Sequence, residues 1–152
     1  MQVNGNIRNT KDIKEQKRLR KERTSKEECH IALRTQNKGD LWYVDNGCSK
    51  HLTGDKNKFS NLRKQKGKVT FGDTASGNII GKGTMNIGKD KAKNVLLVEN
   101  MKPSLLSVSQ TCDQGHTCIF YSHKCEIRRK NSRKLVGVAS RSPKNVYILN
   151  TR

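Results

Sequence analysis

The sequence predicts an all-β domain of the small barrel or sandwich kind, preceded by a basic arm. From Leu41 onward, short apolar runs rich in β-branched residues alternate with turns of Gly, Asp, Asn and Ser. Runs of this length and composition are typical of strands rather than helices. Before Leu41 the chain is almost wholly polar and offers no apolar face to a core. At 152 residues, the chain has room for one hydrophobic core.

The charge is positive along the whole chain and sums to +19. Residues 1–40 carry 11 Lys and Arg against 6 Asp and Glu, residues 41–125 carry 13 against 6, and residues 126–152 carry 8 against 1. We interpret residues 1–40 as a largely disordered basic linker. Such an arm either binds RNA or DNA weakly through phosphates or is simply a solvated linker.

The five cysteines and the absence of an apolar leader behind Met1 favour a reduced, intracellular chain over a disulfide scaffold. No stretch reaches the apolar length of a membrane span, so we expect no membrane partner.

The predicted strands follow in order from Leu41. We predict a first strand at 41–44, a hairpin of 68–71 with 79–87, a buried strand at 94–98, and a last hairpin of 117–121 with 125–127.

Val44-Asp45-Asn46-Gly47 places a carboxylate between an apolar strand and a glycine turn. A carboxylate beside apolar neighbours is costly to desolvate, so it needs a partner or a chemical role. Taken alone, Asp-Asn-Gly is also a common β-turn sequence, and a turn-forming aspartate is the simpler interpretation.

The residues around Asp45 resemble a known family. Trp42-Tyr43-Val44-Asp45-Asn46-Gly47-Cys48-Ser49-Lys50-His51-Leu52-Thr53 is similar to the active-site region of the protease of copia-type retrotransposons, Trp-x-x-Asp-Ser/Thr-Gly-Ala/Cys-Ser-x-His-Met/Leu-Thr. The likeness continues in order through 69–73 with 79–84, through 94–98 with 105–110, and through 125–127, 134–137 and 145–149. It spans about residues 28–149, most of the chain.

The resemblance implies a retropepsin-like Gag-Pol protease domain at 41–127, a closed or half β-barrel with a flap hairpin, followed at 128–152 by the start of a pre-integrase region. It implies a homodimer, because one chain supplies one aspartate, and a polyprotein peptide as substrate. It implies no cofactor and no metal, and a cytoplasmic or nuclear location in the particles of the element. The implied roles are catalysis by Asp45, an active-site loop of Asn46, Gly47, Cys48 and Ser49, a substrate-binding flap of Phe71, Gly72, Asp73, Thr74, Ala75, Ser76, Gly77 and Asn78, and loop support from Leu105, Leu106 and Ser107.

One position departs from the family pattern. Asn46 stands where the family has Ser or Thr, whose hydroxyl braces the two active-site loops. The Asn amide can donate and accept, but its geometry differs, so efficient activity is in doubt. The rival interpretation is a catalytically degenerate β module that binds RNA or protein through its basic surface.

Other residue patterns have alternative interpretations. Cys48 with His51 is a thiol–imidazole pair without an oxyanion-hole signature, and a core cysteine explains it better. Asp73 is most simply a turn residue. A zinc site is improbable because the spacing of the cysteines and histidines fits no known zinc motif. Those residues are Cys112, His116, Cys118, His123 and Cys125.

A set of lysines lies near the predicted strand ends and either protects strand edges or attracts RNA. These are Lys64, Lys66, Lys68, Lys89, Lys91 and Lys93.

Overall fold

The computed structural model describes residues 41–71 and 75–150, which form a predominantly β structure with one α-helix. A single 3-10 turn covers Lys56–Lys58, and the helix, α1, covers Val108–Asp113. No helix among the described residues is long and apolar enough to cross a bilayer. The strands are β1 (Trp42–Asp45), β2 (Leu52–Thr53), β3 (Phe59–Phe71), β4 (Ala75–Ile87), β5 (Asp90–Val98), β6 (Ser104–Ser107), β7 (His116–Phe120), β8 (Lys124–Arg129), β9 (Leu135–Arg141) and β10 (Tyr147–Leu149).

All ten strands belong to one mixed sheet, in the order β3-β4-β5-β2-β6-β1-β10-β9-β8-β7. The β1–β6 and β2–β5 pairs are parallel, and the other pairs are antiparallel. In the described part of the chain, β3 and β7 are edges and do not pair with each other, so backbone hydrogen bonds do not close the sheet. The predominance of β structure is therefore as predicted, while the barrel type and the flap stay predictions.

The sheet curls so that the turn between β4 and β5 contacts the strands β7, β8 and β9 at the other end of the strand order. The Lys89 N–H donates to the Val136 carbonyl of β9 at 3.0 Å. Asp90 bonds the His116 ring of β7 at 2.9 Å and also pairs with the Arg129 guanidinium of β8. The arginine beside Asp90 holds the pKa of that carboxyl well below its usual range, with a further contribution from His116. These polar contacts bring the two ends of the sheet together.

The core consists of two clusters of buried side chains. The larger one draws on both ends of the sheet, as expected if the sheet folds around it. The smaller one lies beside the loop that follows β1. The larger cluster contains Trp42, Val44, Met85, Ile87, Ala92, Val95, Leu106, Cys125, Ile127, Val136, Ala139 and Leu149, and the smaller contains Tyr43, Cys48, Leu52, Val98 and Leu105.

β1 is buried on both faces, which explains its unbroken apolar sequence. Trp42 and Val44 join the larger cluster, while Tyr43 joins the smaller one. Leu105 and Leu106 of β6 divide between the clusters in the same way. Burying each of these leucines is worth about 2 kcal/mol. The two central strands thus form a rigid support for the residues at their carboxyl ends.

The predicted strand at 41–44, the two hairpins and the strand at 94–98 are confirmed, although β3, β4 and β5 start earlier or run longer than predicted. β9 and β10, which follow the predicted last hairpin, pair with β8 and β1, and the boundary at residue 127 stays a prediction. The pre-integrase assignment of 128–152 stays a prediction. The predicted basic linker at 1–40 lies outside the described residues. The helix α1 was not predicted.

Candidate aspartate site

The site begins where β1 ends, at Asp45. The Gly47 N–H donates to Asp45 Oδ1 at 2.7 Å, which forms a tight turn at the strand end. Asn46 and Gly47 are exposed, whereas Asp45 is only 3% exposed. Its second oxygen, Oδ2, is buried and has no hydrogen-bond partner among the described residues. Asp45 is therefore a carboxyl group with one oxygen held by the backbone and the other unsatisfied.

Burial raises the pKa of Asp45, and the Gly47 N–H lowers it by a smaller amount. A buried polar atom without a partner costs about 1–3 kcal/mol. The fold therefore gives up stability at this position, a common feature of functional carboxyl groups. A carboxyl that holds its proton more readily can act as an acid or share a proton with a second carboxylate.

β6 runs parallel to β1 and brings Ser107 beside the aspartate. The register pairs Val44 with Leu106 and Asp45 with Ser107. The Ser107 hydroxyl then donates to the carbonyl of Cys48 at 2.5 Å. Because Cys48 lies in the loop that follows Asp45, this bond ties the loop to the strand behind it.

Ser107 is also the N-cap of α1. Its hydroxyl accepts the Gln110 N–H at 3.2 Å and lies 3.1 Å from the Ser109 hydroxyl. Its carbonyl accepts the Thr111 hydroxyl at 2.7 Å. An N-cap side chain satisfies one of the free N–H groups at a helix start. One serine thus fixes both the aspartate loop and the first turn of α1.

His51 holds the far end of the loop that follows Asp45 through hydrogen bonds. Its Nδ1 accepts the Ser107 N–H at 2.9 Å, and its carbonyl accepts the Leu96 N–H at 2.9 Å. The ring is fully buried, and Nε2 has no partner among the described residues. Burial, with a smaller effect of the Lys50 charge, lowers the pKa of His51 to about 4. The ring is therefore neutral near pH 7 and carries its proton on Nε2.

Gln110 joins this loop to β5. Its side-chain oxygen accepts the His51 N–H at 2.7 Å. Its side-chain nitrogen donates to the carbonyls of Lys93 and Asn94, at 3.2 and 3.3 Å. One buried amide thus serves three backbone groups on two segments.

Cys48 is a buried core residue. Its thiol lies among the apolar side chains of the smaller cluster and donates to the Lys50 carbonyl at 2.8 Å. The His51 Nδ1 atom is occupied by the Ser107 N–H, which leaves it unable to deprotonate a thiol. In residues 41–71 and 75–150, no group of three His, Cys, Asp or Glu side chains is arranged to hold a metal ion.

The structure describes part of the expected flap. Phe71 ends β3, and Ala75, Ser76, Gly77 and Asn78 begin β4. The expected tip, Gly72, Asp73 and Thr74, lies outside the described residues. Lower in the same hairpin, Val69 and Ile79 pack against the cluster that contains Cys48.

Three of the expected site elements come together in space. The Asp45 turn, the loop through Ser49 and the Leu105–Ser107 strand form one hydrogen-bonded unit. Sequence reasoning missed the roles of His51 and Gln110. The stretch from Ser107 to Gln110 does carry the Ser-x-x-Gln signature of a helix start, which could have revealed α1.

Comparison with known proteins gives one match. No curated protein and no solved structure matches the chain. Residues 42–116 match the family model described as Pol polyprotein, beta-barrel domain. The matched range holds the Asp45 turn, the long β3–β4 hairpin, β6 and α1. Residues 42–116 are therefore similar to a Pol polyprotein beta-barrel domain, over just under half of the chain.

Proposed function

We propose that this region is the aspartic endopeptidase of a copia-type Pol polyprotein, with Asp45 as its catalytic residue. The observation that carries the proposal is the Asp45 carboxyl itself: it ends a buried strand, is bound by the Gly47 N–H at 2.7 Å, and keeps an unsatisfied oxygen. Because burial raises its pKa, the group is suited to hold and transfer a proton. The match to a Pol polyprotein domain supports the same assignment.

The proposed active unit is a homodimer, because aspartic proteolysis needs two carboxyl groups and one chain brings one. Two facing Asp45 side chains would share one proton, since two nearby carboxylates do not readily ionise together. The ionised carboxyl would take a proton from water, and the protonated one would donate a hydrogen bond to the scissile carbonyl. No cofactor takes part.

The loop after Asp45 must change its conformation when two copies associate. In the single chain Oδ2 is enclosed, so association of two copies must open the loop and bring this oxygen to a shared water. Asn46, Gly47 and Ser49 are exposed and form the part of the loop that a second copy can reach. Ser107 and His51 hold the buried side of the loop in place.

The β3–β4 hairpin is the proposed cover for an extended peptide. An extended substrate pairs with exposed backbone and places alternate side chains in pockets. Val69 and Ile79 anchor the hairpin on the cluster next to the Asp45 loop, which supports a flap in this position. The residues from Phe71 to Asn78 are its proposed substrate-binding part.

A peptide-cleavage assay on the full chain tests the proposal. The substrates are overlapping peptides from the polyprotein of the same element. We expect slow cleavage that a pepstatin-type inhibitor blocks and that Asp45→Asn abolishes. Asp55→Asn is the matched control, because Asp55 also binds a backbone N–H two residues on, at 2.9 Å, but lies outside the site. Cleavage that persists in Asp45→Asn would refute the proposal.

The second candidate is a non-catalytic module that binds RNA or protein. The enclosed Asp45 oxygen and the exposed Asn46, which replaces the bracing hydroxyl, favour it. It predicts no turnover by wild type on any peptide, together with salt-sensitive RNA binding that Asp45→Asn leaves unchanged.

A further inference from the structure

A groove of about 410 Å³ crosses β3, β4 and β5 on the exposed side of the hairpin. Three cationic side chains line it, and no carboxylate does. We call it the basic groove. Its lining residues are Asn61, Leu62, Arg63, Lys82, Gly83, Thr84, Lys93 and Asn94.

Two of the cations oppose each other directly. The β3–β4 register pairs Arg63 with Lys82, so both side chains leave the same face of the sheet side by side. Like charges directly opposite on neighbouring strands are destabilising. In the described part of the chain, no ion pair uses Arg63, Lys82 or Lys93. A bound anion would relieve this repulsion.

Protection of the sheet edge does not explain the arrangement. Lysines on an edge strand such as β3 discourage aggregation. Lys82, however, lies on β4, which is paired on both sides, and Lys93 lies on β5, which is not the edge strand. The positive charge therefore extends across three strands where edge protection needs only one.

Side-chain hydrogen bonds hold the backbone at Lys93 in place. The β4–β5 register is irregular between Gly83 and Met85, and Asn94 adopts a left-handed conformation with φ of 57°. Such irregularities redirect side chains locally. The Gln114 side chain accepts the Lys93 N–H and donates to the Lys93 carbonyl, both at 2.8 Å. Gln110 adds bonds to the Lys93 and Asn94 carbonyls.

The floor of the basic groove lies between these cations. Next to them, β3 and β4 approach closely, because a Cβ at Gly83 would collide with the Asn61 carbonyl. The Asn61 side-chain oxygen accepts the Thr84 N–H at 3.0 Å, which fixes that amide at the wall. The groove is thus open, cationic and rimmed by two amides.

We propose that the basic groove binds the phosphodiester backbone of single-stranded nucleic acid. The planar guanidinium of Arg63 suits the oxygens of a phosphate, and the amides of Asn61 and Asn94 can donate to the same groups. No aromatic side chain lines the groove, so recognition does not depend on base stacking. We expect a single strand to follow the groove with its phosphates against the three cations. This inference goes beyond proteolysis and does not depend on Asp45.

The test compares two triple variants of the full chain that lose the same charge. The groove variant is R63Q/K82Q/K93Q, and the control is K130Q/K134Q/K144Q, three exposed lysines in the turns before and after β9 that do not line the groove. Binding of a fluorescent oligouridylate is measured by anisotropy over a salt series, with oligothymidylate and polyglutamate as further probes. Circular dichroism shows whether both variants are folded.

We expect the groove variant to bind oligouridylate about 10- to 100-fold more weakly at low salt and to lose about 2 units of salt slope. The control should lose less than about threefold. Oligothymidylate should behave like oligouridylate, since the backbone chemistry is shared. Equal losses in both variants would overturn the proposal, since diffuse charge would then explain binding. A loss confined to polyglutamate would overturn it in favour of an acidic polypeptide. Asp45→Asn should leave binding unchanged, which separates this inference from the proteolytic one.

Discussion

Ser107 lies beside Asp45 in the parallel β1–β6 register, and its hydroxyl donates to the carbonyl of Cys48 at 2.5 Å. The strand behind the aspartate therefore also holds the loop in front of it. The same hydroxyl accepts the Gln110 N–H at the start of α1. A single side chain thus connects the candidate catalytic loop to the only α-helix in the described part of the chain.

The first prediction concerns this hydroxyl. Ser107→Ala leaves the Cys48 carbonyl without its partner and removes the cap of α1. We expect the free energy of unfolding to fall by about 2–3 kcal/mol, measured by urea denaturation. Ser122→Ala, in the exposed turn between β7 and β8, is the control and should change it by less than about 0.5 kcal/mol. Equal effects of the two changes would mean that the Ser107 bonds contribute little.

The second prediction concerns pH. The pKa of His51 falls from 6.5 to about 4 on folding, so the unfolded chain binds a proton between these values while the folded chain does not. The free energy of unfolding should therefore decrease as the pH falls from 6.5 to 4, by about 3 kcal/mol from this group. The raised pKa of Asp45 acts in the opposite direction, and comparison with a His51 variant cancels it.

His51→Gln should remove that part of the pH dependence, whatever its effect on stability at pH 7. His123→Gln, in the exposed β7–β8 turn, should retain it. Urea denaturation of the three proteins at several pH values between 4 and 7 gives the slopes. If His51→Gln keeps the wild-type slope, burial does not hold the ring neutral.

The third prediction concerns the turn between β4 and β5. Gly88 has a φ of +64°, and a Cβ there would collide with the Val136 backbone. Gly88→Ala should lower the free energy of unfolding by at least about 2–3 kcal/mol, because it adds backbone strain and pushes the turn away from β9. Gly115→Ala carries similar backbone strain, at φ +89°, with no atom within 4 Å, so it should cost only about 1 kcal/mol. Thermal unfolding of both variants measures the difference, and equal losses would contradict a tight fit between turn and sheet.

The fourth prediction concerns Asn46. Replacing this exposed amide by Ser supplies the hydroxyl that the copia-type pattern has after the aspartate. If two loops must be braced against each other, Asn46→Ser should raise kcat/KM for peptide cleavage by about 10- to 100-fold, since small misplacements of reacting groups cost that much. Asn57→Ser, another exposed asparagine after an aspartate-containing turn, should leave the rate unchanged. A slower Asn46→Ser enzyme would show that the amide is itself the brace.

The sequence predicted the strands well because their apolar runs are strong local signals. Trp42 to Val44 is buried on both faces, and such a strand shows as a continuous apolar stretch. The turns at Gly88 and at Asn46-Gly47 were equally visible, because their residue types favour turns. The choice of Asp45 as the candidate catalytic residue came from the motif resemblance and not from the periodicity of apolar residues.

Other features depend on contacts between residues far apart in the chain. His51 bonds Ser107, 56 residues away, and Gln110 bonds His51, 59 residues away. The pairing of β10 with β1 joins the two ends of the described chain. No local pattern encodes such partners, so the pairing of β10 with β1 could not be predicted from the sequence. The helix α1 is short, and its six residues contain no apolar repeat that could reveal it.

The central claim is that two Asp45 carboxyl groups form one active site, and a mixing experiment tests it most directly. Wild type is mixed with Asp45→Asn at constant total chain concentration, under conditions where sedimentation shows that chains exchange between dimers. If both carboxyls are required, an equal mixture should give about a quarter of the wild-type rate, because only dimers of two wild-type chains cleave. Activity of one half, proportional to the wild-type chains present, would show that each chain works alone and would contradict the shared site.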